Sequence, residues 1–235
     1  MTGERVDAHD EHNRKDETDR VRFLLGCFFS RCRGGVVVSK MRALIYKPGL
    51  NDGSQGEMPH IGMGILAAEF KRVGVDAIIV DEHFHKRPSL PVSSSDIVAF
   101  SLASYEWPLP ETQEVINYAH DLGKEVWIGG PHAHGYWDIL ANDKRITKIV
   151  VGEVDGQIEE VLDKKAKIIS LPAPPLLDTP NYNLMTFVRE IVAYPIYLSR
   201  GCTNNCSFCA ASQIHGKWRK RSVYDAIDEI SQVET

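Results

Sequence analysis

From residue 42 onward, short apolar runs alternate with stretches whose apolar residues recur at helical spacing. RALIY (42–46), DAIIVD (76–81), DIVAFSL (96–102), EVWIGG (125–130), ITKIVVG (146–152) and KIIS (167–170) are the apolar runs. Strands that are apolar on both faces belong to sheets covered on both faces, which is the habit of parallel sheets. Between them, IGMGILAAEFKRVG (61–74) and ETQEVINYAHDLG (111–123) have helical periodicity and stop at glycine, and DGQIEEVLDKK (155–165) reads as a further helix. The pattern predicts an α/β domain over residues 41–170: a flavodoxin-like, doubly wound parallel sheet of five or six strands. Such sheets bind ligands beyond the carboxyl ends of their strands. Here that edge carries the loops 47–60, 82–88, 103–110, 130–137 and 152–156.

The flanks read differently. Residues 1–22 carry seven acidic and five basic side chains and almost nothing apolar. Such a segment cannot bury enough surface to offset its ordering entropy, so residues 1–40 are expected to be a disordered extension and Met41 a natural start. FLLGCFF (23–29) is not expected to be a secretion signal, because the segment before it is long and acid-rich and no A-x-A-like site follows. On the other side, LPAPPLLDTPNYNL (171–184) holds four prolines, which favour extended chain. Residues 171–194 are therefore expected to be a stiff linker. PIYLSRG (195–201) reads as a strand, and Ser222 to Asp225 has the form of a helix start. Residues 195–235 thus predict one strand, one long loop and one helix. A single βα unit cannot bury its own apolar face, so the chain is expected to stop where a barrel begins.

Composition narrows the setting. The 235 residues are 43% hydrophobic and 25% charged, ordinary values for a globular protein. A net charge of −5 argues against broad attraction to nucleic acid or anionic membranes, and no apolar run approaches the roughly 20 residues that span a bilayer. Five cysteines, odd in number and clustered, do not form a secreted disulfide framework. A reducing cytoplasm is the expected compartment, where a tight cysteine cluster more often binds metal.

Three of the five cysteines lie in SRGCTNNCSFCAAS, spaced Cys202-x3-Cys206-x2-Cys209. Three thiolates are one short of a closed zinc site or a standard ferredoxin cluster. His215 is a candidate fourth zinc ligand, but structural zinc is usually held by two separated knuckles and there is one here. The alternative is a cubane cluster with three irons held by thiolate and a fourth left open for an exogenous chelating ligand.

This spacing, with aromatic Phe208 before the last cysteine and YLSRG leading into the first, resembles the radical S-adenosylmethionine superfamily. The resemblance implies a 4Fe-4S cluster on Cys202, Cys206 and Cys209 whose open iron binds S-adenosyl-L-methionine. One electron from the cluster then yields a 5′-deoxyadenosyl radical. It also implies that Phe208 lines the adenine side; a loop anchor packed against the following helix is the competing reading. The sheet domain, through IGMGILAAEFKRVGVDAIIVD, GGPHAHG (129–135) and VVGEVDGQIEEVL (150–162), resembles the cobalamin-binding subclass. That resemblance implies cobalamin held at Gly129, Gly130, Pro131, His132, Gly152 and Glu153, and methyl transfer to an unactivated carbon. The motif D-x-H-x-x-G, whose histidine binds cobalt in methionine-synthase-type domains, is absent, so no protein histidine is expected on cobalt. His132 and His134, like His83 and His85, are more usually loop histidines bonded to backbone or solvent. Gly62 and Gly64 are too few glycines for a dinucleotide fingerprint. The basic run Lys217 to Arg221 is expected to be a solvated loop. The implied partners are a small-molecule substrate, a reductant such as ferredoxin or flavodoxin, and a separate chain supplying the rest of a barrel. No membrane and no nucleic acid are expected.

Two other functions compete. A tRNA methylthiotransferase would carry three further cluster-binding cysteines in its first domain, and residues 41–198 contain none. A non-catalytic corrinoid or iron–sulfur binding fragment is the reading of a different class.

Overall fold

The computed structural model describes residues 40–49, 58–84, 91–174, 179–184, 193–204 and 206–233. The expectation for residues 1–39, with Cys27 and Cys32, lies outside them. Six strands form the main sheet: β1 (Arg42–Lys47), β2 (Asp76–Asp81), β3 (Ile97–Ser101), β4 (Glu125–Gly129), β5 (Lys148–Val151) and β6 (Ile168–Ser170). Their spatial order is β2-β1-β3-β4-β5-β6, and every pairing is parallel. The chain winds one way from β1 to β2 and the other way from β3 to β6, which makes this the doubly wound, flavodoxin-like sheet that the apolar runs predict. The turning point lies between β1 and β3.

Successive side chains of a strand point to opposite faces, and each face here has its own core. Ala43 and Ile45 join Met63, Ala67 and Phe70 of α1 (Ile61–Arg72) and Ile158 and Val161 of α4 (Ile158–Asp163). Leu44 and Tyr46 join Val115, Ile116 and Ala119 of α2 (Pro110–Asp121) and Ala133 and Leu140 of α3 (Gly130–Leu140). Tyr46 meets Phe100 edge-on at 5.4 Å within the second core. Burying each of these larger side chains stabilises the fold by roughly 1.5–3 kcal/mol.

Three details differ from the sequence reading. Residues 130–137, expected to be a loop, are the first turns of α3. Gly130-Pro131 starts this helix directly at the end of β4, and it leaves helical geometry only at Tyr136. The strand expected over residues 195–201 is cut to β7 (Ser199–Arg200). It pairs antiparallel with β8 (Arg219–Lys220), and a short helix α5 (Ala211–His215) lies between them. The basic run is therefore a solvated loop only in part: Lys217, Trp218 and Lys220 are exposed, while Arg219 and Arg221 turn inward. Arg219 and Lys220 form β8, and Arg221 is buried against Glu229 of α6 (Val223–Val233). Ser222 caps that helix as expected, its Oγ accepting the Tyr224 N–H at 3.2 Å.

Within residues 171–194, a 3-10 turn at Tyr182–Leu184 packs back onto the sheet unit. The Asn181 N–H donates to the Gly64 carbonyl at 2.8 Å, and a Cβ on Gly64 would lie 2.7 Å from the Tyr182 ring and 2.8 Å from Pro180. Gly64 thus serves close packing and not phosphate binding. Gly64→Ala is expected to destabilise the protein by about 1–3 kcal/mol through this overlap. The check is a urea midpoint that falls at unchanged slope; an unchanged midpoint would show that Tyr182 yields without cost.

Candidate functional site

A cavity of about 190 Å³ opens at the carboxyl ends of β3, β4 and β5. Trp127 and Val150 line it from the sheet, Ile65 from α1 and Ile158 from α4. Strand ends at Ser101, Gly129 and Gly152 carry side chains too small to fill it. Its remaining wall comes from the cysteine segment, through Tyr197, Arg200, Ile214 and His215.

Of the residues assigned to a cofactor from sequence, Gly129, Gly130, Pro131, Gly152 and Glu153 line this cavity. His132 does not. Because residues 130–137 are helical, positions 131 and 134 share a face three residues apart, and both line the cavity. His132 is stacked instead between Trp107, with ring centres 5.2 Å apart, and Tyr136 at 4.9 Å. Burial lowers its pKa and keeps the ring neutral. Of the two neighbouring histidines it is thus His134, and not His132, that lines the cavity. Beside His134 and His215 the cavity is lined by His60, at the start of α1, which lacks the sequence motif of a cobalt ligand. The Nδ1 atoms of His60 and His134, like that of His132, are buried with no hydrogen-bond partner among the described residues. Burial, and then the charge of Lys47, lower the His60 pKa, so this ring too is neutral at pH 7.

The side of the cavity facing the cysteine segment is ionic. Glu153, only 8% exposed, follows β5. Its Oε1 accepts from His215 Nδ1 at 2.8 Å and from Arg219 Nη2 at 3.0 Å, and its Oε2 accepts from Arg219 Nη1 at 2.8 Å. Arg200 Nη1 stands 3.4 Å from the same Oε2 and donates to Asp155 Oδ2 at 2.9 Å. The Arg200 guanidinium also lies over the Tyr197 ring at 5.1 Å. Burial alone would raise the Glu153 carboxyl pKa. The His215 and Arg219 hydrogen bonds, with the charges of Arg200 and Arg219, outweigh it and bring the pKa down to about 2.

Two residues beyond Arg200 the cysteine loop begins. Gly201 turns the chain at φ +79°, and a Cβ there would lie 2.3 Å from the Lys217 carbonyl oxygen, so only glycine fits beside β8. All three thiols are free, Cys202 and Cys209 half-buried and Cys206 exposed. The Asn204 N–H reaches Cys202 Sγ at 3.4 Å, and the Cys209 N–H donates to the Cys206 carbonyl at 3.1 Å. Among the described residues no three His, Cys, Asp or Glu side chains are already arranged around a metal position. The donor chemistry nonetheless fits an iron–sulfur cluster: three soft, unpaired thiols on one loop, with a backbone N–H aimed at a sulfur. Phe208 is 90% exposed, which overturns its reading as an anchor packed against the following helix.

No family model matches the chain. Among curated proteins it is 28% identical over 185 residues to the bacteriochlorophyllide d C-8(2)-methyltransferase of Chlorobaculum tepidum, covering 71% of this chain and 39% of that protein. It is 31% identical over 78 residues to the ribosomal protein uS12 methylthiotransferase RimO of Thermus thermophilus, covering 33% of this chain and 18% of the relative. In fold it superposes with a TM-score of 0.61 on the cobalamin-dependent S-adenosylmethionine radical enzyme OxsB, at 13% identity, over 83% of this chain and 31% of that one. The chain is thus similar in sequence to parts of a methyltransferase and of a methylthiotransferase, and in fold to part of a cobalamin-dependent S-adenosylmethionine radical enzyme. It spans about two fifths of the length of the first of these curated relatives and less of the second. Among the described residues no helix is long and apolar enough to cross a membrane.

The ionised Glu153 carboxylate sets a pH dependence. Its folded pKa of about 2 lies below the ordinary 4.5, so its contribution to stability is complete above pH 4.5 and is lost as pH falls through 2. The contribution is on the order of 2–3 kcal/mol. The difference in urea stability between the native protein and Glu153→Gln should therefore be constant from neutrality down to about pH 4.5 and shrink below it. A difference that stays constant to pH 2 would mean that charge is not what holds this carboxylate.

Proposed function

We infer that this chain carries the cluster-binding loop and the cobalamin-type domain of a radical S-adenosylmethionine enzyme of methyltransferase type. One observation carries the reading. The segment that bears the three free thiols also forms one wall of the cavity at the carboxyl edge of a doubly wound sheet, so sites for two cofactors would adjoin. The methyltransferase relative supports the reaction class.

Cys202, Cys206 and Cys209 would hold the cluster, which when loaded with S-adenosylmethionine supplies a one-electron cleavage of the sulfonium. The chain's own residues do the positioning. The half-buried Cys202 and Cys209 and the exposed Cys206 would supply the cluster's three thiolates. Phe208 offers an exposed aromatic face beside it. Opposite the ionic side of the cavity, the unpaired Nδ1 atoms of His60 and His134 are suited to amide groups at the rim of a corrinoid. At about 190 Å³ the cavity is smaller than the 300–1,000 Å³ usual for drug-sized ligands. It therefore suits an appended group of a larger ligand, with the macrocycle outside and no protein histidine on cobalt. A reductant such as ferredoxin or flavodoxin, a small-molecule substrate, a second chain completing the barrel and a reducing cytoplasm complete the proposal.

A methylthiotransferase is the second reading, favoured by the RimO match. The lack of any cysteine in residues 41–198 weighs against it, because the further cluster of such enzymes would have no thiolates there. A corrinoid or iron–sulfur binding fragment without catalysis remains the reading of a different class.

Anaerobic reconstitution tests the cluster. The native chain is expected to take up about four irons with a brown chromophore, and alanine at any of Cys202, Cys206 or Cys209 should abolish it. Iron and sulfide retained in the triple variant would reject the cluster, and a loaded chain that never cleaves S-adenosylmethionine would favour the fragment. Titration with hydroxocobalamin tests the second cofactor through the corrin spectrum. His134→Ala should weaken binding about tenfold, the effect of one lost hydrogen bond, and His132→Ala should not change it. No binding at tens of micromolar, a range set by ordinary ligand affinities, would remove cobalamin from the account.

A further inference from the structure

One carboxylate touches the cavity and both ends of the cysteine loop. Glu153 lines the cavity, and its partners lie on either side of the thiols in sequence. Arg200 precedes Cys202 by two residues, and His215 and Arg219 follow Cys209 by six and ten. Between these anchors the loop does little to place itself. Before the short helix α5, the described backbone bonds of residues 202–209 are the long Cys202 N–H to Gly216 carbonyl contact at 3.4 Å and the internal bond from Cys209 to Cys206. The anchors are the opposite. Arg200 and Glu153 are almost wholly buried, and Arg219 is nearly so. Removing one member of such a group leaves its partner charged and uncompensated in a poorly solvated place. The group therefore selects one placement of the loop against the sheet.

We propose that Glu153 is a positioning residue for the cysteine loop. It fixes Cys202 and Cys209 relative to the cavity wall through Arg200 on one side and His215 and Arg219 on the other. A ligand entering the cavity meets Glu153, Arg200 and His215 together, so the groups that bound the cavity are the groups that place the thiols. What the loop is placed for rests on the function proposed above; the placement itself is tested without it.

The first arm uses the full chain, cluster-free and reduced. Alkylation of each cysteine by iodoacetamide is followed by peptide mass spectrometry. In the native protein Cys206 should react fastest, since Cys202 and Cys209 are half-buried. In Glu153→Gln the rates at Cys202 and Cys209 should rise about tenfold, as local opening becomes cheaper, while Cys206 is unchanged. Glu153→Asp should fall between the two. The second arm uses reconstituted protein at matched iron content. The change that S-adenosylmethionine makes in the electron paramagnetic resonance spectrum of the reduced cluster should be lost in the Gln variant and partly restored in the Asp variant. Equal alkylation in native and Gln proteins overturns the proposal, and so does a native spectrum in the Gln variant. If Glu153→Gln does not fold, Arg219→Gln releases only the far anchor and should raise the rate at Cys209 more than at Cys202; equal native rates at both again overturn it. A native chain that takes up no iron would reject the proposed function and leave the alkylation arm to decide this one.

Discussion

The architecture depends on a carboxylate buried between two arginines. Glu153 leaves β5 at the sheet's carboxyl edge, and there the cysteine segment is attached to it. Apolar packing is non-directional and would let β7 and β8, a two-residue pairing, settle against the sheet in several ways. Charges taken out of water do not have that freedom. Their desolvation is repaid only in a geometry that pairs each of them, and the Glu153–Arg200–Asp155 and Glu153–Arg219 contacts meet that condition together. Such groups contribute little net stability when intact and cost much when broken. Their consequence is a defined position more than a deeper energy minimum. Farther along, Arg221 and Glu229 repeat the device inside the same segment. Arg221 also reaches Thr179 Oγ1 at 2.5 Å, which ties the proline-rich stretch to α6.

The sheet needed no such device, and for that reason it was legible. Six short apolar runs separated by helical periods have few alternatives to a parallel sheet covered on both faces, and the division of β1 into Ala43 and Ile45 against Leu44 and Tyr46 follows from strand geometry alone. The helix at residues 130–140 was hidden for a different reason. Gly-Gly-Pro reads as a turn, and the polar residues after it break any apolar period. What makes it a helix is the close passage of its first turn beside β3, shown by the His132 N–H bonding to the Leu102 carbonyl at 2.9 Å. That is a tertiary contact with no local signature. Its cost to the sequence reading is the choice of His132 over His134, since a loop gives no rule for which of two nearby histidines faces the cavity and a helix does.

The inward turn of Arg219 and Arg221 within the basic run is hidden from the sequence on the same ground. Charge density alone favours solvent, and the acidic partners lie 66 residues away for Arg219 and eight away for Arg221. Hydrophobic periodicity identifies faces; it carries no information about which charges will meet. The cysteine spacing escaped this limit because its meaning is local. Three thiols within eight residues constrain one another's chemistry whatever the rest of the chain does. Phe208 shows where that locality ends. Its neighbours in sequence could not decide whether it packs inward, and the structure leaves it outside.

The same contrast bears on how the two candidate cofactor regions relate. The cavity is a property of the sheet, made by small residues at the ends of β3, β4 and β5 and present in any doubly wound fold that ends its strands this way. The thiols are a property of a short loop that could sit on many scaffolds. Among the described residues the ionic contacts join them, and these fall on residues without a motif of their own. Arg200 stands at the last position of β7, so its backbone is held by β8 while its side chain reaches Asp155 and Glu153. The register of a two-residue strand pair is weakly specified by itself. The arginine's carboxylate partners supply the missing specification, and through them the first cysteine inherits its place from the sheet.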